Sequence, residues 1–191
     1  MPSATSARAR ILEAARFLFY SYGIRGVGVD RVVGAADVAK ATLYSHFSSK
    51  DHLVEAYLDE VDRWWRGRLR EAAEAAGPTP ADRLVGMFDA VGRLCEAGYF
   101  RGCAFINAAA EVDPDSRAHA RIVRHKEDVR DWMRGLAAQA GVDDPDRIAA
   151  SLSALLDGAL AAGAVDPGTR RADAVKATAR LLVTVAVPAR V

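Results

Sequence analysis

The chain has 191 residues, of which 51% are hydrophobic and 27% charged, so it can bury a sizeable core and is not an intrinsically disordered protein. Its net charge of +1 is unevenly distributed, because residues 1–50 carry seven basic and three acidic side chains and the remainder carries 19 basic and 22 acidic ones. A basic first segment favours a polyanionic partner for that part of the chain.

The same inventory argues against a secreted or membrane-spanning protein. Two cysteines, Cys95 and Cys103, do not make a disulfide framework and favour a reducing compartment. The first ten residues lack the apolar core of a signal peptide. The longest apolar tract, 148–164, is rich in alanine and interrupted by Asp157, which is atypical of a membrane span. We therefore expect a cytoplasmic protein.

Apolar residues recur at helical spacing between glycines and prolines along most of the chain. The nine predicted helices span 8–22, 29–36, 40–46, 49–76, 80–97, 102–111, 115–140, 145–163 and 170–187. Thr79 and Asp144 each precede a proline and predict helix starts. Ser48 and Asp51 have the spacing of a capping box. The fold class predicted is all-α, with one domain in 1–50 and a second in 51–191.

The first three predicted helices have the arrangement of a helix-turn-helix. The first carries an apolar stripe and ends before Gly23, and the second and third are short and joined by a tight turn at Asp37 and Val38. The third helix, 40–46, is too short and polar to be a core element. With Val38 and Leu43 directed inward, its remaining side chains are expected on the outside.

The outward side chains of this segment suit contacts with a nucleic acid. Hydroxyl, imidazole and ammonium groups can donate to phosphate oxygens, and Lys40 and Ser45 are placed to reach base edges. The candidate DNA contacts are Arg31, Lys40, Ala41, Thr42, Tyr44, Ser45, His46 and Lys50. The alternative is that the aromatics belong to the core and the lysines to a solvated face; we accept a core role for Phe47.

These residues resemble the TetR family of transcriptional regulators, chiefly over 8–57. The resemblance rests on Gly23, Val29, Val32, Ala36, Val38, Thr42-Leu43-Tyr44, His46-Phe47, Lys50 and Leu53 at the family's spacing. It implies that Thr42, Tyr44, His46 and Lys50 contact phosphates and that the surface of 40–45 reads bases. It also implies a homodimer that binds a palindromic operator and releases it when a small molecule binds the C-terminal body.

Three positions depart from the family pattern. Gly28 stands where Ser or Thr usually caps the second helix, and Ala39 replaces the usual Ser cap of the third. Asp37 replaces the glycine of the turn, and it tolerates a left-handed conformation better than most residues. These changes bear on helix starts and on some phosphate contacts.

The body supplies candidates for an effector pocket, which needs apolar walls and a few polar groups. Asn107 and Glu111 lie one helical turn apart and are the polar candidates, while tryptophans and other apolar residues could form the walls. The candidate ligand-binding residues are Trp64, Trp65, Met87, Phe88, Val91, Phe105, Asn107, Glu111 and Trp132. For each, a role in the core or on the surface is the alternative.

No other chemistry has positive support. A redox pair of Cys95 and Cys103 is conceivable, but small buried cysteines are more common. His119 and His125 are six residues apart and do not share a helix face, so a metal site with Glu111 and Asp113 has only weak support. We assign no metal and no cofactor. No recognisable nucleophile–base pair appears, and we predict that the protein is not an enzyme.

The last two predicted helices are the expected dimer seam. The run 181–187 is apolar on every side, which implies burial on two fronts. The candidate interface residues are Ile148, Leu152, Leu155, Leu156, Ala159, Leu181, Leu182 and Val185. The alternative is that both helices only cover the core of their own chain.

The sequence thus predicts a homodimeric repressor of a double-stranded DNA operator under the control of a small molecule. Two other classes stay open. One is a helical carrier or enzyme with a vestigial DNA-binding segment, and the other is an activator or architectural protein without a ligand.

Overall fold

The described residues of the computed structural model, 6–96, 99–165 and 169–187, form ten α-helices. These are α1 (Ala7–Tyr22), α2 (Val29–Ala36), α3 (Lys40–His46), α4 (Lys50–Ala76), α5 (Pro80–Gly86), α6 (Asp89–Glu96), α7 (Ala104–Ala109), α8 (Arg117–Gln139), α9 (Pro145–Val165) and α10 (Thr169–Ala186). Each of the nine predicted segments contains helix, and the all-α class is confirmed. Residue 97, the predicted end of the fifth segment, lies outside the described residues.

The fifth predicted helix is divided into α5 and α6 at Met87 and Phe88. The Phe88 amide donates to the Val85 carbonyl at 3.3 Å, and the Val91 amide to the Phe88 carbonyl at 3.1 Å. Both hydrogen bonds join residues three apart, as in a 3₁₀ turn, and so tighten the chain at this point. Met87 and Phe88 are both buried, so the turn is held by the core rather than by a glycine or proline at either position.

Two predicted helix starts are confirmed. The Thr79 hydroxyl accepts from the Asp82 amide at 3.1 Å, and the Asp144 carboxylate accepts from the Arg147 amide at 3.0 Å. The capping box at the start of α4 is wrong by one residue. Ser49, rather than Ser48, accepts a hydrogen bond from the amide three residues on, at 3.0 Å.

The described residues group into two compact units. The first contains the residues up to Asp62 together with Ala104–Arg124, and the second contains Arg63–Cys103 and the residues from His125 onward. The functional boundary between 1–50 and 51–191 stays a prediction.

The first unit has a core in which α1 packs against α2 and α3. Ile11, Leu43 and Phe47 are fully buried there. Phe19 and Tyr57 meet edge to face, with ring centroids 5.6 Å apart. The Arg10 guanidinium donates to the Ala36 carbonyl and so caps the end of α2. The core therefore holds α2 and α3 in a fixed arrangement.

In the second unit, α10 packs against α5, α6 and α9. Ion pairs join Asp89 on α6 to Lys176 on α10, and Lys126 on α8 to Asp157 on α9. Among the described helices, α9 alone is long and apolar enough to cross a membrane by length and composition. That is weak evidence, because a core helix passes the same test, and seven residues of α9 are buried in the protein.

Candidate nucleic-acid interface

The helix α3 presents its polar side chains outward from the first unit. Leu43 is fully buried, and the Phe47 side chain that follows the helix is buried as well. The exposed residues of α3 are Lys40, Ala41, Tyr44, Ser45 and His46, and Thr42 is half-buried. The predicted donors of α3 to phosphates and bases are therefore accessible from outside the unit, fully or in part.

The start of α3 is held against α2 by charge. Lys40 Nζ lies 2.8 Å from Asp30 Oδ1, and the hydrogen bond and charge of Asp30 raise the pKa of Lys40. Asp37 adopts a left-handed conformation with φ 50° and ends α2, as the turn requires. Ala39 makes no side-chain cap. The pair of Asp30 and Lys40 thus links the first turns of the two helices where a side-chain cap is missing.

Two of the candidate DNA-contacting side chains already donate hydrogen bonds within the chain. The Ser45 hydroxyl donates to the Thr42 carbonyl of its own helix at 2.8 Å. Lys50 Nζ donates to the Ile24 carbonyl at 2.5 Å. Burial lowers the pKa of Lys50, and the charge of Glu111 opposes that shift. One of the three N–H donors of Lys50 is therefore used by the Ile24 carbonyl in this conformation, and the predicted contact of Lys50 with a phosphate stays a prediction.

Arg31, in the first turn of α2, is exposed and stacks on an aromatic ring. Its guanidinium carbon lies 3.8 Å from the centroid of Tyr22, the last residue of α1. Tyr22 continues the helical spacing of the apolar stripe Ile11, Ala15 and Leu18, but unlike those residues it is 52% exposed. An aromatic residue at position 22 was the feature of the sequence from which this stacking could have been predicted.

Glu111 joins the segment after α7 to the loop after α1. Its Oε2 accepts from the Arg25 amide, and its carbonyl accepts from Arg25 Nε, both at 2.7 Å. The carboxylate also lies against Gly23, where a Cβ atom would come within 2.8 Å of Oε1. In this structure the Glu111 carboxylate holds the loop between α1 and α2, and its predicted role in an effector pocket stays a prediction.

A buried charge cluster joins α4 and α8 within the same unit. Arg121 Nη2 lies 2.8 Å from Asp62 Oδ2, and Arg121 also pairs with Asp59. Burial alone would lower the pKa of Arg121, but the two carboxylates raise it. Such a cluster is costly to break, because a lone buried charge would remain.

Comparison with known proteins agrees with this geometry. Residues 11–57 match the family model described as bacterial regulatory proteins, tetR family. A TetR-family transcriptional regulator from Streptomyces coelicolor is 36% identical, with a TM-score of 0.87 over 95% of this chain and 96% of that one. The chain belongs to the TetR family.

Two further relatives are transcriptional repressors. KstR2 from Mycolicibacterium smegmatis is 27% identical over 73% of this chain and 66% of that protein. NemR from Escherichia coli is 26% identical over 55% of this chain and 53% of that protein. The matched region thus spans less than two thirds of the length of these curated relatives.

The candidate ligand-binding residues of this TetR-family chain are distributed over both units. Trp65, Met87, Phe88, Val91, Trp64 and Trp132 belong to the second unit, and Phe105, Asn107 and Glu111 to the first. Met87, Phe88 and Val91 lie together around the turn between α5 and α6 and are at most 2% exposed. Trp65 is also buried, Trp132 is half-buried and Trp64 is half exposed. The effector site as a whole stays a prediction.

A cleft of about 250 Å³ lies between α6 and α10 of the second unit. Its lining residues are Phe88, Asp89, Gly92, Arg93, Glu96, Ala172, Asp173 and Lys176. Of the predicted pocket residues, it includes Phe88. The volume is below the range of roughly 300–1,000 Å³ that is usual for ligand pockets.

The predicted dimer seam of the TetR-family chain is partly corrected. Ile148, Leu152, Leu156 and Ala159 are at most 5% exposed within one chain, because α6 and α10 pack against α9. They belong to the monomer core. Leu155 and Leu182 are half-buried, whereas Leu181 and Val185 are 68% and 87% exposed. The open face of α9 instead carries small residues, namely Ala150, Ala154, Gly158 and Ala161.

Proposed function

We propose that the chain is a cytoplasmic, ligand-responsive repressor that binds a palindromic DNA operator as a homodimer and leaves it when a small molecule binds. The observation that carries the proposal is the exposed polar flank of α3, within the region 11–57 that matches the family model. The repressor names of KstR2 and NemR support the same direction of control.

The proposed mechanism follows from the geometry of helix-turn-helix dimers. Two copies of α3 enter successive major grooves about 34–36 Å apart. The small Ala41 side chain allows close approach to the bases, and Tyr44 and His46 donate to phosphates. Phosphate contacts set affinity and salt dependence, while base contacts set the sequence that is bound.

The test is fluorescence anisotropy with DNA from upstream of the protein's own gene. Tyr44 is 46% exposed, so Tyr44→Ala should leave the fold intact. We expect it to weaken binding to every DNA sequence by about 1.5–3 kcal/mol per subunit, the usual value of a hydrogen bond to a charged group.

The matched control is Tyr99→Ala, which removes a tyrosine of similar exposure, 56%, from the second unit. Its DNA affinity should equal that of the wild type. The proposal fails if the wild-type protein is monomeric and does not bind DNA at low ionic strength, or if the two variants behave alike.

A DNA-binding regulator without an effector is the second candidate. It is favoured by the dense packing of Met87, Phe88 and Val91, three residues predicted to line a pocket. Titration of tryptophan fluorescence with candidate metabolites separates the two functions, because a regulator without an effector gives no saturable change.

A further inference from the structure

An exposed aromatic pair on α1 stands beside the basic side chain of Arg31. Tyr22 and Phe17 are 52% and 57% exposed, and their rings meet edge to face with centroids 6.4 Å apart. Arg31 stacks on the Tyr22 ring at 3.8 Å, well within the roughly 6 Å that defines such contacts. Neither ring fills the core of the first unit, so burial does not account for this arrangement.

The helix dipole disfavours a positive charge at the location of Arg31, although Asp30 in the same turn offsets part of this effect. Arg31 lies in the first turn of α2, where unpaired amide groups already give the helix a partial positive charge. The N-cap residue Gly28 has no side chain to satisfy those amides. A cation at this position becomes favourable when a phosphate approaches, since both the amides and the guanidinium then attract it.

An aromatic ring holds a guanidinium without neutralising it. A carboxylate would fix the side chain but compete with a phosphate, as Asp30 does for Lys40. The face of Tyr22 restrains the long Arg31 side chain and leaves its full charge and its N–H donors for another partner. A side chain ordered in advance loses less conformational entropy on binding.

We propose that Tyr22 is a positioning residue for DNA binding: its ring holds the Arg31 guanidinium in the orientation that meets a backbone phosphate. The inference rests on the proposed function and adds a residue that acts through Arg31 rather than by touching DNA. Phe17 supports the ring from its edge.

The experiment is a double-mutant cycle, measured by anisotropy with the DNA used above. Tyr22→Leu should weaken binding by roughly two- to fivefold per subunit, the range expected for an exposed cation–π contact. Tyr22→Phe keeps the ring and should bind like the wild type. In the Arg31→Gln background, Tyr22→Leu should cause no further loss, because the side chain through which it acts is absent.

Three outcomes overturn the inference. If Tyr22→Leu binds like the wild type while Tyr44→Ala is impaired, the proposed function stands and the positioning role is wrong. If Tyr22→Leu weakens binding equally with and without Arg31, or if Tyr22→Phe is as impaired as Tyr22→Leu, then Tyr22 acts independently of its stacking on Arg31. Circular dichroism and native mass of each variant exclude misfolding, and Tyr99→Leu is the control for loss of an exposed ring.

Discussion

Gly23 combines an unusual backbone conformation with a close contact to Glu111, a residue far away in the sequence. Its angles, φ 80° and ψ 157°, lie in a region that is essentially confined to glycine. Because a Cβ atom would also lie 2.8 Å from Glu111 Oε1, Gly23→Ala combines backbone strain with a steric clash. We expect it to lower the free energy of unfolding by about 1–3 kcal/mol, measured by urea denaturation.

Two companion variants separate the causes. In the Glu111→Ala background the clash is absent, so Gly23→Ala should cost less there while the backbone strain persists. Gly34→Ala is the matched control, since Gly34 lies in α2 with nothing within 4 Å of its added Cβ. That change should be neutral or stabilising by up to about 1 kcal/mol. Equal costs of Gly23→Ala in both backgrounds would contradict the role assigned to Glu111.

The chemistry of Cys95 follows from its surroundings in the second unit. Burial, and secondly the charge of Glu96, raise the pKa of this thiol above its ordinary value. The reactive thiolate is therefore scarcer at neutral pH than in a free cysteine. We expect alkylation of Cys95 by iodoacetamide, followed by mass spectrometry, to rise with pH through a midpoint higher than that of an unstructured peptide containing cysteine.

An alkylation midpoint below that of the peptide would contradict the raised pKa of Cys95, and a redox role for this thiol would again be a candidate. The variant Glu96→Gln is the control, because it removes the smaller of the two causes and should move the midpoint slightly downward. The remaining shift would then be due to burial.

At single residues, local contacts could be predicted from the sequence and distant ones could not. Thr79 and Asp82 are three residues apart, and their capping bond follows from residue type and spacing alone. Arg25 and Glu111 are 86 residues apart, and only tertiary packing brings them together. The sequence did not reveal this contact of Glu111, because helical periodicity does not show what lies opposite a helix.

At the scale of elements, α10 offers the most direct test of the dimer. Leu181 is 68% exposed in a single chain, so Leu181→Glu leaves the charge in water if the protein stays monomeric. Within an apolar seam the same carboxylate would be buried without a partner, at a cost of several kcal/mol. We expect a shift from dimer to monomer, measured by light scattering on a sizing column, without loss of helical content.

Two further substitutions define the specificity of this effect. Val123→Glu places the same charge on an exposed part of α8, 43% accessible, and should leave the dimer intact. Leu152→Glu places it in the monomer core, where the side chain is fully buried, and should unfold the protein. A dimer that survives Leu181→Glu unchanged would place the seam elsewhere.

The helices could be predicted from the sequence, but not the assignment of each face to the core or to a partner. On α9, apolar periodicity groups Ile148, Leu152, Leu155 and Ala159 on one face, and all of them except half-buried Leu155 are buried. One apolar stripe nevertheless looks alike whether it meets its own chain or another. The division between α5 and α6 was missed for a related reason. Phe88 and Met87 are apolar and continue the helical pattern, so the turn depends on packing that the sequence does not display.

At the scale of the whole molecule, two helices contain residues of both compact units. The α4 helix, Lys50–Ala76, and the α8 helix, Arg117–Gln139, each begin in the first unit and end in the second. At a rise of ~1.5 Å per residue, a continuous helix such as α4 extends over ~40 Å. Both are therefore candidates for carrying a signal from an effector to the DNA-binding helices.

Such a signal must be reciprocal. If an effector weakens the affinity for operator DNA by a certain factor, operator DNA weakens the affinity for the effector by the same factor, commonly between about 5- and 150-fold.

Half-exposed Trp64 and buried Trp65 lie side by side on α4, with ring centroids 6.3 Å apart, and provide an intrinsic fluorescence probe. We expect the dissociation constant of a bound metabolite, measured by this fluorescence, to rise when saturating operator is added. It should rise by the same factor by which the metabolite raises the dissociation constant of the operator, measured by anisotropy. Non-specific DNA at the same concentration is the control and should leave the constant unchanged. A metabolite that binds with equal affinity in both conditions shifts no equilibrium, and its binding would then contradict release of the operator by that molecule.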